Sequence, residues 1–299
     1  MSKAKTAQTA SFDPAPTRYP FPLDTAKHYL IVKKDNGLVF DKDYPYIDRS
    51  RAMRFKQFWV RALLYVFVFP LARVRLGLKI KGRKKLKENA KLLKNGFISC
   101  CNHVHLWDFI CVMRALSPRR PNLLAWDKNI RGENGTLIRL VGGIPIPQKD
   151  PHALAALGKA LKELFERHGA LHVYGEGSMW EFYRPVRPFR TGFAYLACKY
   201  GVPVQPMAFS YRRPGFIRRV IFRQQALFTL NIGDPLFPDT SLGLIERRFD
   251  LTRRCHASVC RLAGFAEGEN IYPPVYEDSR RIDYYTPGEN WERSESKTC

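Results

Sequence analysis

The chain predicts an α/β fold, a layer of mostly parallel strands flanked by helices, and three observations carry that reading. Between residues 82 and 209, short apolar runs of strand type alternate with segments of helical spacing, the order that strand–helix–strand units produce. The strand-type runs are too apolar for a sheet with a wet face, so helices must cover both sides. Glycines and prolines punctuate the alternation, at Gly142-Gly143, around Glu176, and in Val202-Pro203-Val204-Gln205-Pro206.

Taken in order, residues 1–20 are polar at the start, contain no apolar stretch of signal type, and read as a disordered tail. Residues 28–44 hold Asp35-Asn36-Gly37 between two β-rich runs, which predicts a hairpin. The spacing over 53–76 predicts an amphipathic helix with Arg51, Arg54 and Arg61 on one face and Trp59, Leu63 and Val66 on another. Its central apolar run, 62–69, is far shorter than the roughly 20 residues that a membrane span needs. An interfacial helix is therefore expected, with aromatics inserted and arginines at the headgroups. The Lys81-Gly82-Arg83-Lys84-Lys85-Leu86-Lys87 run adds positive charge directly after it.

The core of the chain then predicts strands over 97–101, 123–126, 170–174 and 202–209, and helices over 107–116, 151–168 and 192–200. Asp150 caps the second of these helices, with Pro151 in its first turn. Residues 216–232 read as a further pair of strands and 241–262 as a closing helix. The domain boundaries that follow are a tail over 1–20, a hairpin and interface helix over 21–76, a catalytic-type domain over 77–265, and an irregular tail over 266–299.

With 299 residues, 45% of them hydrophobic, the chain can bury one substantial core. Fifty Lys and Arg against 27 Asp and Glu give a net charge of +23. The partner is therefore anionic: a phospholipid surface, a phosphate-bearing substrate or nucleic acid. No recognisable nucleic-acid module accompanies the charge, so nucleic acid is not expected. Seven cysteines lie scattered without framework spacing and read as free thiols of a reducing compartment.

Asn102-His103-Val104-His105-Leu106-Trp107-Asp108 is the most informative segment. On a regular helix five positions span about 140° of rotation, which points His103 and Asp108 apart. They meet only if His103 sits in the turn ahead of a helix and Asp108 in its first turn. An aspartate on one ring nitrogen then fixes the imidazole tautomer and leaves the other nitrogen to take a proton. Chance co-occurrence and metal binding by His103, His105 and Asp108 are the competing readings. No further His/Cys cluster supports a metal, Cys255-His256 and Cys260 being too sparse, so none is expected.

Four blocks in order resemble the glycerolipid acyltransferase family, over roughly residues 76–209. Its NHxxxxD block is matched by Asn102, His103 and Asp108, and its GGxxIxR block by Gly142, Gly143, Ile144 and Ile146. Its FPEGTRS block is matched by Glu176 and Gly177, with Ser178 in place of threonine. Phe189-Arg190-Thr191-Gly192 resembles the element that follows, Val202 to Pro206 resembles the fourth block, and Lys128 lies near a lysine the family often carries. Two departures stand out. The second block ends Ile146-Pro147-Gln148 and the third reads Glu176-Gly177-Ser178-Met179-Trp180, so neither carries the family's arginine. Lys128, Arg139, Arg184, Arg187 and Arg190 are the possible substitutes.

The resemblance implies an O-acyltransferase of phospholipid metabolism at the cytoplasmic face of a membrane. It would move a fatty acyl group from acyl-CoA or acyl carrier protein to a lysolipid, with lysophosphatidic acid as leading acceptor. A non-phosphate lysolipid, a glycolipid or an aminolipid hydroxyl is the alternative acceptor. The implied catalytic residues are His103 and Asp108. The implied substrate-binding set is Asn102, Lys128, Gly143, Glu176, Gly177, Ser178 and Arg190. Backbone N–H groups near Glu176-Gly177 or at a helix start would meet the oxyanion. No cofactor is implied beyond the thioester co-substrate. A non-catalytic protein that binds anionic lipid or nucleic acid is the reading from another class.

Overall fold

The computed structural model of the protein describes residues 12–14, 32, 35–148, 150–266 and 269–270. Its centre is a seven-stranded sheet of order β1-β7-β6-β2-β5-β3-β4. The strands are β1 (Lys79–Lys81), β2 (Phe97–Cys101), β3 (Asn122–Trp126), β4 (Gly143–Ile146), β5 (Ala170–Tyr174), β6 (Val204–Arg212) and β7 (Leu227–Ile232). Every pair is parallel except β6 with β7. Because β1 follows β7 in parallel, those two strands run against the other five. The starts of β1 and β7 therefore lie at the edge where β2, β5 and β6 end.

Residues of alternate parity along β2 feed two cores. Ile98 and Cys100 pack beneath α7 (Pro151–Glu166), α8 (Gly192–Tyr200) and α10 (Leu244–Ala263). Phe97 and Cys101 face the other side, with Cys111, Val112 and Ala115 of α4 (Asp108–Leu116). This period-two division is why the central strands read as continuous apolar runs. Asp150 caps α7 as its sequence predicts, accepting from His152 N at 2.9 Å.

The N-terminal helix is continuous over Arg51–Arg75. It comprises α1 (Arg51–Leu63), a π-helical segment (Leu64–Val68) and α2 (Phe69–Arg75). Ser50 caps it, its hydroxyl accepting from Met53 N at 3.1 Å. The widened turn lies just before Pro70, which has no N–H to give the ladder. Leu64, Phe69 and Ala72 pack on Ile110, Met113, Leu123 and Val141. The opposite side leaves Phe55, Phe58, Trp59, Leu63, Val66, Phe67, Leu71 and Val74 exposed. The 25 residues are long and apolar enough to cross a membrane by length and composition. Aromatics on both sides of the 62–69 run extend its apolar surface along the helix.

Other sequence expectations need correction. The predicted hairpin over 28–44 falls partly outside the described residues, and Leu38–Phe40 form no strand. The turn itself exists, with Gly37 at φ +72° and its N–H donated to Asp35 Oδ1 at 2.9 Å. Asn36 N, however, donates to Arg131 O at 3.0 Å, so the turn docks on the end of α5 (Asp127–Arg131) instead of closing a ribbon. Within the expected disordered tail, Phe12 N donates to Tyr211 O at 3.2 Å and its ring packs on the core. Residues 216–232 hold one strand, β7, preceded by the short helix α9 (Phe216–Val220). Phe216, Ile217 and Val220 follow helical spacing, and alternation begins only at Leu227. Three further short helices, α3 (Arg83–Glu88), α5 and α6 (Gly135–Leu140), and the edge strand β1 were not anticipated. The six described cysteines are free.

Candidate active site

β2 ends at Cys101 and α4 begins at Asp108, so residues 102–107 form the turn that the histidine–aspartate contact requires. His103 Nδ1 lies 2.6 Å from Asp108 Oδ2. The same oxygen accepts Val104 N at 3.1 Å, while Asp108 Oδ1 accepts the Tyr174 hydroxyl at 2.5 Å. The His103 ring stacks on Tyr174, with centroids 3.7 Å apart and planes 9° from parallel. Asp108 is buried, whereas the His103 side chain keeps about a fifth of its surface exposed. Among the described residues, His103 Nε2 has no hydrogen-bond partner.

Burial acts to raise the Asp108 carboxyl, but the His103 charge and the bonds from His103, Tyr174 and Val104 outweigh it. They hold the group below its ordinary value. Burial and then the Asp108 charge push the Tyr174 hydroxyl well up, so it remains a proton donor to the carboxylate. The arrangement is an oriented imidazole beside a carboxyl held below its ordinary value, with Nε2 open to accept a proton.

His105 does not join the pair. Its Nδ1 accepts Trp107 N at 3.0 Å, its Nε2 faces Glu181 at 3.5 Å, and burial presses it down to about 4. His172, buried beneath the site, is pressed down to about 3 by its surroundings, burial foremost; its Nδ1 lies 2.9 Å from Ser99 Oγ.

Glu176 is the second anchor. Its Oε2 accepts His103 N at 2.8 Å and Arg187 Nη2 at 2.9 Å, and its Oε1 accepts Arg187 N at 2.8 Å. Arg187 is buried, donates to Ser178 Oγ at 2.7 Å and to the Ser178 carbonyl, and lies over the Trp180 ring. Trp180 N closes the circuit on His103 O at 3.1 Å. Glu176 thus holds the N–H of His103, and the Trp180 N–H holds its carbonyl.

The structure brings His103, Asp108, Glu176, Gly177 and Ser178 together, but not in equal positions. Glu176 and Ser178 stand behind the histidine as its frame, with their oxygens engaged by Arg187. Asn102 turns to β6, where its amide donates to Phe209 O at 3.2 Å and accepts Phe209 N at 2.8 Å. It joins the end of β2 to β6. Gly177 has φ +74°, and the Arg190 side chain lies against it; Arg190 is exposed. Lys128 follows the C-terminal end of β3, exposed, with its ammonium 5.2 Å from the Trp126 ring centre.

Gly143 is placed elsewhere. It starts β4, level with Leu123 and His172 and so with Ser99, short of the strand ends where His103 sits. A Cβ there would meet Ile138 O at 2.6 Å, so glycine is required for α6 to pack on the strand. It lines a cavity of about 120 Å³ beneath α1 with Asn122, Arg139, Met53 and Gln57. Two substitute arginines are also occupied. Arg187 is locked to Glu176, and Arg139 holds the carbonyls of Pro45, Tyr46 and Gly143 at 2.6, 2.7 and 2.9 Å. Gln148, at the place of the family's second-block arginine, donates to Asp127 at 2.8 Å. The expected oxyanion donors near Glu176 are engaged as well: Gly175 N bonds Cys101 O and Gly177 N bonds Tyr174 O. Tyr174 and Arg187 are the site residues that sequence reasoning missed in these roles.

A histidine–carboxylate pair thus stands at a strand end, framed by a second strand-end acid. Residues 77–210 match the family model Acyltransferase. The matched span is an acyltransferase domain, and the protein is an acyltransferase. No curated protein matches the chain. A crystal structure of the 1-acyl-sn-glycerophosphate (LPA) acyltransferase PlsC from Thermotoga maritima is similar, at 18% identity and a TM-score of 0.45, covering 74% of this chain and 86% of that one.

Proposed function

We propose that this acyltransferase moves a fatty acyl group from acyl-CoA or acyl carrier protein to the hydroxyl of a lysolipid, with lysophosphatidic acid the leading acceptor and phosphatidic acid the product. The reading rests above all on the 2.6 Å contact between His103 and Asp108, with Nε2 left open. His103 Nε2 takes the proton of the acceptor hydroxyl as its oxygen attacks the thioester carbonyl. The tetrahedral intermediate collapses to the ester, and the departing thiolate takes that proton from the imidazolium. Asp108 supports the imidazolium charge, Tyr174 steadies Asp108, and Glu176 with Arg187 fixes the backbone that carries His103. The N–H groups of Gly175 and Gly177, and those of Trp107, Asp108 and Ile110 at the start of α4, all have acceptors within the protein.

Lys128 and Arg190, both exposed, and the half-buried Arg184 beside the Phe265 ring are the substitutes that remain to hold an acceptor phosphate or the phosphates of CoA. A second reading, a neutral or zwitterionic lysolipid or glycolipid acceptor, is favoured by one observation: Arg139, Arg187 and Gln148 all have internal partners. The enzyme works at an anionic membrane surface, on the cytoplasmic side, with the Arg51–Arg75 helix as its anchor.

Purified protein incubated with labelled acyl-CoA and a panel of lysolipids tests this. Transfer to lysophosphatidic acid, lost in His103→Ala, is the expected result. Preferential acylation of a non-phosphate lysolipid selects the second reading. Absence of transfer to every acceptor, from acyl-CoA and from acyl carrier protein alike, removes the proposal.

A further inference from the structure

The exposed apolar surface of the Arg51–Arg75 helix does not stop at its C-terminus. α9 and the two residues after it expose Phe216, Ile217, Val220, Ile221 and Phe222, each more than half accessible. In α9 itself, positions 216, 217 and 220 fall on one side of the turn, with Arg218 and Arg219 on the other. Five bulky apolar side chains within seven residues make a cluster that a water-facing surface seldom carries.

The two elements are joined. Arg218 donates to the Val74 carbonyl at 2.9 Å and Gln224 to the Arg75 carbonyl. These are end-of-helix carbonyls of α2, otherwise short of partners. Gln224 also accepts from Arg218 at 3.1 Å, so the brace is closed on itself. Sheet topology explains the meeting. β6 ends, and β7 and β1 begin, at the edge where His103 sits, so the end of α2 and the β6–β7 connection arrive at the same place. Arg75 lies over the Trp107 ring, 5.3 Å from its centre, and Phe228 N donates to Leu76 O at 2.9 Å. The joined apolar surface thus borders the turn that carries His103 and Asp108.

We propose that α9, residues 216–222, is a second membrane-insertion element, which with the Arg51–Arg75 helix forms one docking face for an anionic phospholipid bilayer. The charge around it fits that occupant. Arg213, Arg219 and Arg223, all exposed, flank the apolar cluster along the chain, and the exposed Arg73 and Arg75 close the helix joined to it, basic residues beside an apolar centre. The inference goes beyond acyl transfer, since insertion of α9 needs no catalysis. It accounts for how a water-insoluble chain reaches His103: the site's rim is pressed onto the lipid at two points.

Hydrogen–deuterium exchange of the full chain, with and without vesicles of phosphatidylglycerol and phosphatidylcholine, tests it directly. Residues 215–224 are expected to slow at least fivefold on vesicle addition. In flotation, Ile221→Glu/Phe222→Glu is expected to partition at least tenfold more weakly, with its melting temperature unchanged and its turnover of detergent-dispersed substrate retained. Unchanged exchange at 215–224 in vesicle-bound protein overturns the proposal even if the double variant fails to fold. Wild-type partitioning by the folded double variant also overturns it. If no acyl transfer is found with any acceptor, exchange and flotation still decide this question separately.

Discussion

The Tyr174 ring lies parallel to the His103 ring at 3.7 Å while its hydroxyl donates to Asp108 at 2.5 Å. One side chain therefore sets both the plane of the imidazole and the charge of its carboxylate partner. Tyr174→Phe keeps the stacking and removes the donor. Asp108 then loses one of the bonds that hold its carboxyl down. The expected result is a kcat reduced about threefold to thirtyfold, less than the roughly 10²–10⁴ that general-base loss costs, with KM for the acceptor unchanged. An unchanged kcat would show that Tyr174 only packs.

Glu176 and Arg187 form a buried ion pair at 2.9 Å. Removing one partner leaves the other charge without compensation, which typically costs about 3–5 kcal/mol. Glu176→Gln is expected to lower stability by that order in chemical denaturation and to loosen the backbone of His103. The double variant Glu176→Gln/Arg187→Met should lose less than the sum of the two single losses. Strict additivity would show that the pair is not coupled.

Alanine in place of glycine ordinarily stabilises by about 0.4–1 kcal/mol where the backbone permits it. At Gly143 the added carbon meets Ile138 O at 2.6 Å and Ile138 Cγ2 at 2.4 Å, so the sign reverses. Gly143→Ala is expected to destabilise by about 1–3 kcal/mol, read as a fall in melting temperature, with an unchanged KM for the lysolipid. A raised KM at unchanged stability would return Gly143 to the substrate.

His105 and His172 are pressed down to about 4 and about 3, so the folded state binds fewer protons than the unfolded state below pH 6.5. Stability is complete above that value and falls as pH drops toward 4. The slope is about 1.4 kcal/mol per pH unit for each histidine that stays neutral. His172→Gln, which preserves a partner for Ser99, is expected to flatten melting temperature against pH between 6.5 and 4. An identical slope in the variant would assign acid loss to other groups.

Much of this was legible in sequence because it is local. The strands 97–101 and 170–174 and the helix 192–200 carry their own periodicity and turn signals. The separation of His103 and Asp108 demanded the turn-then-helix geometry that the chain adopts. Tyr174 was hidden because it lies 66 residues from Asp108, and only parallel register between β2 and β5 joins them. A polar-tipped aromatic closing an otherwise apolar strand was the available clue. Arg187 read as a phosphate ligand because nothing local distinguishes an inward guanidinium from an outward one. Residues 216–222 read as strand because isoleucine, valine and phenylalanine favour strands, yet the tether to α2 prevails over that preference.

Arg139 grips the carbonyls of Pro45, Tyr46 and Gly143, fastening the strap ahead of α1 to the first residue of the outermost strand. A pull on the start of α1 therefore loads the sheet itself, because the strap at Pro45 and Tyr46 and the first residue of β4 are clasped by one guanidinium and shift as one body.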